Sequence, residues 1–542
     1  MRYLALVTVF VLLALAAWAS WAHSAWWLAA VAPLLLLAAA GIYDLLQPQS
    51  TLRRNYPLLA HLRFFLESIG PELRQYFVQA DLDEVPFSRA QRSLVYSRAK
   101  KVSDVVAFGT LGNVYGESYE WINHSLAPVR IAEPDFRIRI GGPQCRQPYD
   151  ASVFNVSAMS FGALSAAAVR ALSNGAALGG FYVDTGEGSV SPYHLEGGGD
   201  LVWELGTGYF GCRTEQGGFD ADKFRATAAN PQIRMIEIKL SQGAKPGKGG
   251  VLPGAKVSPE IAATRGVPVG VDCISPASHS AFDSPLGLLQ FVRQLRELSD
   301  GKPVGFKLCI GHPWEWFAIV KAMVESQILP DFIVVDGAEG GTGAAPAEFI
   351  DHVGVPMHEG LLLVHNTLVG AGLRTQIRLG AAGRITSAFE VAKTMALGAD
   401  WCNGARSFML SLGCIQSLSC HTDHCPTGVA TQDPRRWRQL DVTDKSQRVF
   451  NYHRATVHAL AELLSAAGLS HPQELGPEHV LRRISPTEVR AFDRIYNFIA
   501  PGSLLGDDLP DHDVLTSFWQ QARADSFTPP RSVMEHRKSR EF

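Results

Sequence analysis

Residues 376–406 read QIRLGAAGRITSAFEVAKTMALGADWCNGAR, and the fold class follows from this stretch. An apolar run at 376–379 gives way to a Gly-rich loop. Next comes Ser387-Ala-Phe-Glu390, a capping box that starts a helix. Gly398 stands where that helix should stop, and 401–403 resumes an apolar run before a second loop, Gly404-Ala405-Arg406. Strand, loop, helix and strand make a βαβ unit, and continuous apolar strands imply a parallel sheet buried on both faces. The same pattern recurs outward from 151 to about 412, with further strands expected at 154–159, 181–184, 235–239, 269–274, 304–308 and 332–335. Ser258-Pro259 supplies an N-cap followed by proline at the first helical position. No GxGxxG follows the first strand, and chemistry-bearing residues follow nearly every strand. The expected fold is therefore an α/β, (β/α)8 TIM barrel in preference to a doubly wound sheet.

Upstream, residues 3–22 carry no charge, and 25–43 form a second apolar stretch after only His23 and Ser24. A bilayer crossing takes roughly 20 residues, so the pair reads as a transmembrane helical hairpin with both outer ends on one side. Arg2, Arg53 and Arg54 flank those ends, which by the positive-inside rule puts the catalytic part in the cytoplasm, tethered to the inner membrane. Trp18, Trp21, Trp26 and Trp27 gather at the hairpin tip, where an aromatic belt would sit. A cleaved signal peptide is the rival reading, and it leaves the second stretch unexplained.

The organisation expected is a hairpin at 1–48 and a helical linker or cap at 49–140, broken at Pro57, Pro71 and Pro86. The barrel with its cysteine segment follows at 141–450, then a helical extension at 451–523 and a flexible tail at 524–542. The main helix after the barrel is expected at 449–467.

A net charge of −3 over 542 residues implies no broad basic surface, which argues against a nucleic-acid partner. Eight cysteines are too few for a disulfide scaffold in a chain this long. Three of them, Cys414, Cys420 and Cys425, fall within twelve residues and are followed by Pro426. Thiolates are soft ligands, and three so close can wrap one small iron–sulfur cluster. Zinc would need a fourth ligand, for which His421 or His424 is available, and inert thiols are the third reading.

The segment GCIQSLSCHTDHCPTGVATQ resembles the cluster-binding segment of glutamate synthases. Other blocks resemble that family in the same order: SAMSFGALS (157–165), TGEG (185–188), IEIKLSQGAKPGKGG (236–250), VGFKL (304–308), VDGAEGGTGAAP (335–346) and LGADWCNGARSFM (397–409). The resemblance covers roughly residues 140–450, the FMN-binding synthase portion. It implies bound FMN, a 3Fe–4S centre on Cys414, Cys420 and Cys425, and reductive amination of 2-oxoglutarate to L-glutamate. It also implies catalytic roles for Lys245, Glu187 and Lys239, and substrate contacts from Lys245, Arg265 and Glu187.

Elementary chemistry agrees with those assignments. A flavin phosphate needs backbone N–H donors at a helix N-terminus, and barrels supply them after strands seven and eight. Gly383-Arg384 and Gly404-Ala405-Arg406 stand there; glycine permits close approach and arginine adds a charge-assisted bond. Ala158, Met159 and Ser160 end the first strand and should pack against the flavin ring, with Gln242 nearby by resemblance. Asp336, Gly340 and Gly341 belong to a loop that can reach the ribityl chain. Lys307 ends an apolar strand, either as a cation beside the flavin N1–O2 edge or as a snorkelling structural lysine. Arg265 is a bidentate carboxylate clamp or a charge at a helix C-terminus, and Lys245 a proton donor or a solvated loop lysine.

The sequence departs from the family in three ways. It shows no amidotransferase domain and no C-terminal β-helix, so ammonia is expected from a separate source. Lys248 and Val251 stand where the large synthases usually carry an acid and a substrate-binding glutamine, which changes which oxo-acid or imine fits. Two alternatives follow: an FMN and Fe–S dehydrogenase of another amino or hydroxy acid, or a membrane-tethered electron-transfer or redox-sensing protein. With no dinucleotide fingerprint, the expected electron donor is a protein, ferredoxin or a reductase subunit.

Overall fold

The computed structural model describes residues 3–48, 50–78, 85–506 and 508–538. The chain divides into two compact units, Met1–Glu84 and Val85–Phe542.

In the first unit, helix Leu4–Ala22 is followed by a single 3-10 turn, Ala25–Trp27, and helix Leu28–Leu46. Both long helices have the length and composition to cross a membrane. Gly41 lets them approach closely, since a Cβ there would lie 2.3 Å from Leu6 Cδ1. Trp21 and Trp26, at the tip, are 86% and 87% exposed. Asp44 is buried, accepting from the Leu58 N–H at 3.0 Å and sharing a 2.9 Å hydrogen bond with the His61 ring. Arg53 and Arg54 lie in the short helix Thr51–Asn55; Arg2 lies outside the described residues.

The second unit is built on a closed barrel of eight parallel strands in chain order. They are β1 Phe154–Val156, β2 Val183–Asp184, β3 Leu201–Leu205, β4 Ile233–Lys239, β5 Val304–Leu308, β6 Phe332–Asp336, β7 Arg378–Ala382 and β8 Trp401–Gly404. β8 closes on β1, with Cys402 opposite Phe154 and Gly404 opposite Val156. Helices between the strands cover the outside. The expected box at Ser387 forms: its hydroxyl accepts from Glu390 N and the Glu390 carboxylate accepts from Ser387 N. Ser258 caps Pro259–Arg265 as expected. Helix Ala166–Gly179 packs closely on the long helix Val442–Ala467 because Gly175 leaves room, its Cβ position lying 2.6 Å from Ser446 O. The hairpin Arg137–Ile140 with Tyr149–Ser152 is tied to the strand-entry end of the barrel, where Asp331 accepts from Gly142 N.

Several expectations are corrected. The run 269–274 is not a barrel strand: only Cys273–Ile274 is extended, pairing antiparallel with Val251–Leu252 outside the barrel. Val269, Val271 and Ile274 are more than half exposed, so the apolar alternation there belongs to a surface ribbon. The third strand is instead Leu201–Leu205, which a local reading passes over because Glu204 interrupts the apolar run. The helical character expected for 49–140 stops at Lys100, where Lys101 takes a left-handed conformation (φ 55°). After 470 the chain is not mainly helical: Val480–Ser485 and Glu488–Ala491 form a hairpin that adds Glu120–Ile122 as a third strand. Within the expected tail, Arg531–Lys538 is helical, and 539–542 lie outside the described residues.

Candidate active site at the barrel mouth

Parallel strands in a barrel all end on one face, so the loops leaving β1, β2, β4, β6, β7 and β8 converge there. The β2 loop carries Glu187, and its carboxylate lies 3.1 Å from Lys239 Nζ at the end of β4. Burial alone would raise the Glu187 carboxyl, but Lys239, Arg265 and Lys245 outweigh it and hold it below the ordinary value. Lys245 is buried, and burial lowers its ammonium pKa, with Glu187 opposing and Lys239 and Lys248 adding to the effect. Two glycines make this fit possible: a Cβ at Gly250 would lie 2.2 Å from Glu187 Oε1, and one at Gly206 would lie 2.7 Å from Glu187 Cβ. The mouth thus gathers Glu187, Lys239 and Lys245, with Arg265 near enough for its charge to act on Glu187.

Arg265 takes a different posture from a clamp facing solvent. It is 4% exposed, donates to the Phe161 carbonyl at 3.1 Å and to Ser160 Oγ at 3.4 Å, and lies over the Phe210 ring. Its guanidinium therefore braces the turn that carries Ala158, Met159 and Ser160. Asp336, at the end of β6, accepts from Gly243 N at 2.9 Å and so fixes the loop that holds Gln242.

On the opposite side of the mouth, Arg406 donates to the Glu339 carbonyl and stacks over Phe87 at 4.9 Å. Burial, with the charge of Arg384 adding to it, pulls Arg406 down to about 10. The Glu339 carboxylate accepts from Met357 N at 3.0 Å, at the start of helix Met357–Gly370. Glycines line the cradle between them: a Cβ at Gly383 would meet Met357 and Glu339, and one at Gly341 would lie 2.7 Å from Arg406 Cδ. The Met357 N–H is already taken by Glu339, so what fits a phosphate here is the Arg406 guanidinium with the Arg384 charge beside it and the side-chain space withheld at Gly341 and Gly383.

Inside the barrel the strand alternation turns Glu204, Glu237 and Lys307 inward from apolar neighbours. The Lys307 ammonium contacts Glu204 and lies 3.0 Å from Glu237. Burial works against that ammonium, but Glu204, Glu237, Asp184 and Asp336 outweigh it and raise its pKa well above normal. Lys307 is therefore neither free nor snorkelling. Asp184, Glu204 and Glu237 bring carboxylate oxygens within 4.8 Å of one another, but Lys307 is the cation among them, so the set is an ion-pair cluster. Sequence reasoning missed these three acids and His279, which bridges the Lys239 carbonyl and the Tyr209 hydroxyl. The available signal was a charged residue at every second position of WEL and IEIK.

The cysteine segment follows helix Arg406–Ser411. Left-handed residues at Gly413, Gln416, Leu418 and Asp423 coil the chain tightly, and Cys414, Cys420 and Cys425 are free thiols. They lie close enough for their charges to interact: burial raises the Cys414 thiol to about 12, with Cys420 and Cys425 adding. Gln416 N–H points at Cys414 Sγ, and Thr427 Oγ1 lies 3.4 Å from Cys425 Sγ. Hydrogen bonds to sulfur in a coiled loop suit a thiolate-bound cluster. Lys256 donates to the Cys420 carbonyl and Tyr96 to the Cys414 carbonyl, holding the loop from two sides. His421 and His424 are exposed.

A family model described as a conserved region in glutamate synthase matches residues 144–470. The glutamate synthase large subunit-like protein YerD of Bacillus subtilis is 37% identical over 509 residues, covering 86% of this chain and 97% of that one. The archaeal glutamate synthase [NADPH] of Methanocaldococcus jannaschii is 37% identical over 321 residues, 59% of this chain and 60% of that one. A solved mandelate oxidase mutant with a monooxide FMN adduct aligns over 80% of this chain at 14% identity, with a TM-score of 0.39.

Proposed function

The chain belongs to the glutamate synthase family, oxidoreductases acting on CH–NH2 donors, and on that premise we propose that it reductively aminates 2-oxoglutarate to L-glutamate with bound FMN. The observation that carries this reading is the convergence of Glu187, Lys239 and Lys245 on one side of the mouth, facing the Gly383 and Arg406 cradle on the other. FMN, when bound, supplies the hydride. Arg384 and Arg406, with the Gly383 and Gly341 backbone, would hold its phosphate, and Ala158, Met159 and Ser160 would pack against its ring. A dicarboxylate substrate brings two negative charges, which Lys239 and Lys245 meet. Lys245, its ammonium pKa lowered by burial, gives a proton more readily than an exposed lysine does. Arg265 acts from beneath by fixing the Ser160 turn.

The three cysteines would bind an iron–sulfur cluster that receives electrons from a separate donor protein. The two apolar helices would serve as an inner-membrane anchor with the barrel in the cytoplasm, and ammonia would come from another source. The boundaries proposed for these parts are those expected from the sequence. A second reading, oxidation of another amino or hydroxy acid, is favoured by one placement. Val251 directly follows Gly250, where a Cβ would lie 2.2 Å from Glu187 Oε1, so an apolar residue stands next in the chain to the site loop.

Single turnover of the photoreduced protein tests both readings. Glutamate formed from 2-oxoglutarate and ammonia supports the first. Reoxidation only by a different oxo-acid supports the second, and inertness toward every acid leaves an electron-transfer or sensing protein.

A further inference from the structure

We propose that Gln432 and Lys256 are positioning residues that tie the cysteine loop to the turn at 160–164. Through them a cluster held by Cys414, Cys420 and Cys425 tightens the seat of the flavin ring, a role that rests on the placement of both groups proposed above.

The turn at 160–164 follows β1 and is held from two flanks. Its own backbone closes it through Leu164 N–H to Ser160 O at 2.9 Å and Gly162 N–H to Leu164 O at 3.1 Å. Gly162 sits at φ +106°, and a Cβ there would lie 3.2 Å from both Arg265 Nη2 and Leu252 Cδ2. On one flank Arg265 donates to the Phe161 carbonyl at 3.1 Å. On the other, Gln432 Nε2 donates to the Gly162 carbonyl at 3.0 Å and to the Leu164 carbonyl at 2.9 Å. A side-chain amide meets two carbonyl oxygens only with its NH2 end, so both of its hydrogens serve this turn. The loop that carries Glu187 packs on the turn as well: a Cβ at Gly186 would lie 2.7 Å from Ser160 N.

Gln432 is placed in its turn by the cysteine loop. Asp423, between Cys420 and Cys425, accepts from Gln432 N at 2.7 Å, and its carbonyl accepts from the Thr431 hydroxyl at 2.5 Å. Lys256 brings in a further segment. Its ammonium is 4% exposed, donates to the Cys420 carbonyl at 2.9 Å and the Ala430 carbonyl at 3.5 Å, and lies 3.7 Å from Asp423 Oδ1. A desolvated ammonium needs a counter-charge and acceptors for its three hydrogens, and these groups supply them. Shortly after Lys256 comes helix Pro259–Arg265, which ends on the arginine that grips Phe161. The contacts close a circuit: cysteine loop, Gln432, turn, Arg265, helix, Lys256 and the cysteine loop again. No member of it shifts without breaking a bond to a neighbour, so order in one part constrains the rest.

Ligation by three cysteines fixes the chain from 414 to 425, and part of the binding free energy goes into ordering it. With Asp423 fixed, Gln432 and the turn are already ordered when a flavin ring packs on Ala158, Met159 and Ser160. The two binding events share that ordering, so each strengthens the other by the same factor. The phosphate cradle at Gly383 and Arg406 lies outside the circuit. Flavin therefore stays bound at saturating concentration without iron, and the effect is one of affinity.

The test is a fluorescence titration of the full-length protein, freed of flavin, with FMN and with riboflavin. Each is titrated once with iron bound and once after anaerobic chelation. In wild type, removing iron is expected to weaken both flavins equally, on the order of tenfold. In Gln432→Met that dependence on iron is expected to vanish, with the iron-loaded variant binding flavin as weakly as stripped wild type. Gln432→Glu keeps the size of the side chain and removes both donors, so it decides the matter if Gln432→Met does not fold. Equal affinity with and without iron in wild type overturns the proposal. So does a dependence that persists undiminished in the variants, because iron would then steady the barrel as a whole. Weakening of FMN alone places the effect at the phosphate and overturns it too. Protein that binds neither flavin nor iron overturns the assigned function and the coupling with it. Coupling in protein that forms no glutamate overturns the assigned reaction and leaves the tether in place.

Discussion

Replacing Lys307 with methionine removes the cation that lies against both Glu204 and Glu237 and puts an apolar chain of similar length in its place. Breaking a buried ion pair by deleting one partner typically costs about 3–5 kcal/mol. The protein has one way to limit that cost, which is to bind an extra proton on a carboxyl. Neutralising a glutamate of ordinary pKa costs about 3.7 kcal/mol at pH 7 and about 1.6 kcal/mol at pH 5.5. That sets the expected loss of stability and gives it a pH signature. In the variant the carboxyl has a folded pKa above its unfolded one, so the native state binds the proton more tightly. Native stability then falls as pH rises through the window above the unfolded value. Urea unfolding followed by near-UV circular dichroism at the two pH values measures the difference. The Lys307→Met, Glu204→Gln double variant should recover most of the loss, because it restores the charge balance. A loss below about 1 kcal/mol at pH 7, or equal losses at the two pH values, would refute the placement of Lys307 as the counter-ion of a dry carboxylate pair.

Two further outcomes are expected. Cys420→Ser should lose bound iron and the cluster's visible absorbance while retaining flavin, because Lys256 holds this loop through a backbone carbonyl and the flavin cradle lies in other loops; metal analysis beside flavin absorbance checks it. Gly383→Ala places a methyl 2.9 Å from Met357 Cβ and 3.1 Å from Glu339 Oε1, so FMN should bind roughly tenfold more weakly, about 1.4 kcal/mol, with riboflavin little affected. Equal weakening of both flavins in a fluorescence titration would place the phosphate elsewhere.

The sequence by itself determined the repeating strand–loop–helix order, seven of the eight barrel strands, and the caps at Ser258 and Ser387. These are local properties: a capping box closes within four residues, and a run of apolar residues is visible without its partners. The same local logic misplaced 269–274, whose alternation is that of a surface ribbon, and passed over Leu201–Leu205 because of Glu204. Only the tertiary structure brings Lys307, more than a hundred positions away in the chain, against that glutamate. It also turned Arg265 inward onto the Phe161 carbonyl and assembled Asp184, Glu204 and Glu237 from three strands. Whether a charge is tolerable in a dry interior depends on the charges that face it across the barrel. That pairing is fixed by strand register and closure, which no single stretch of chain encodes.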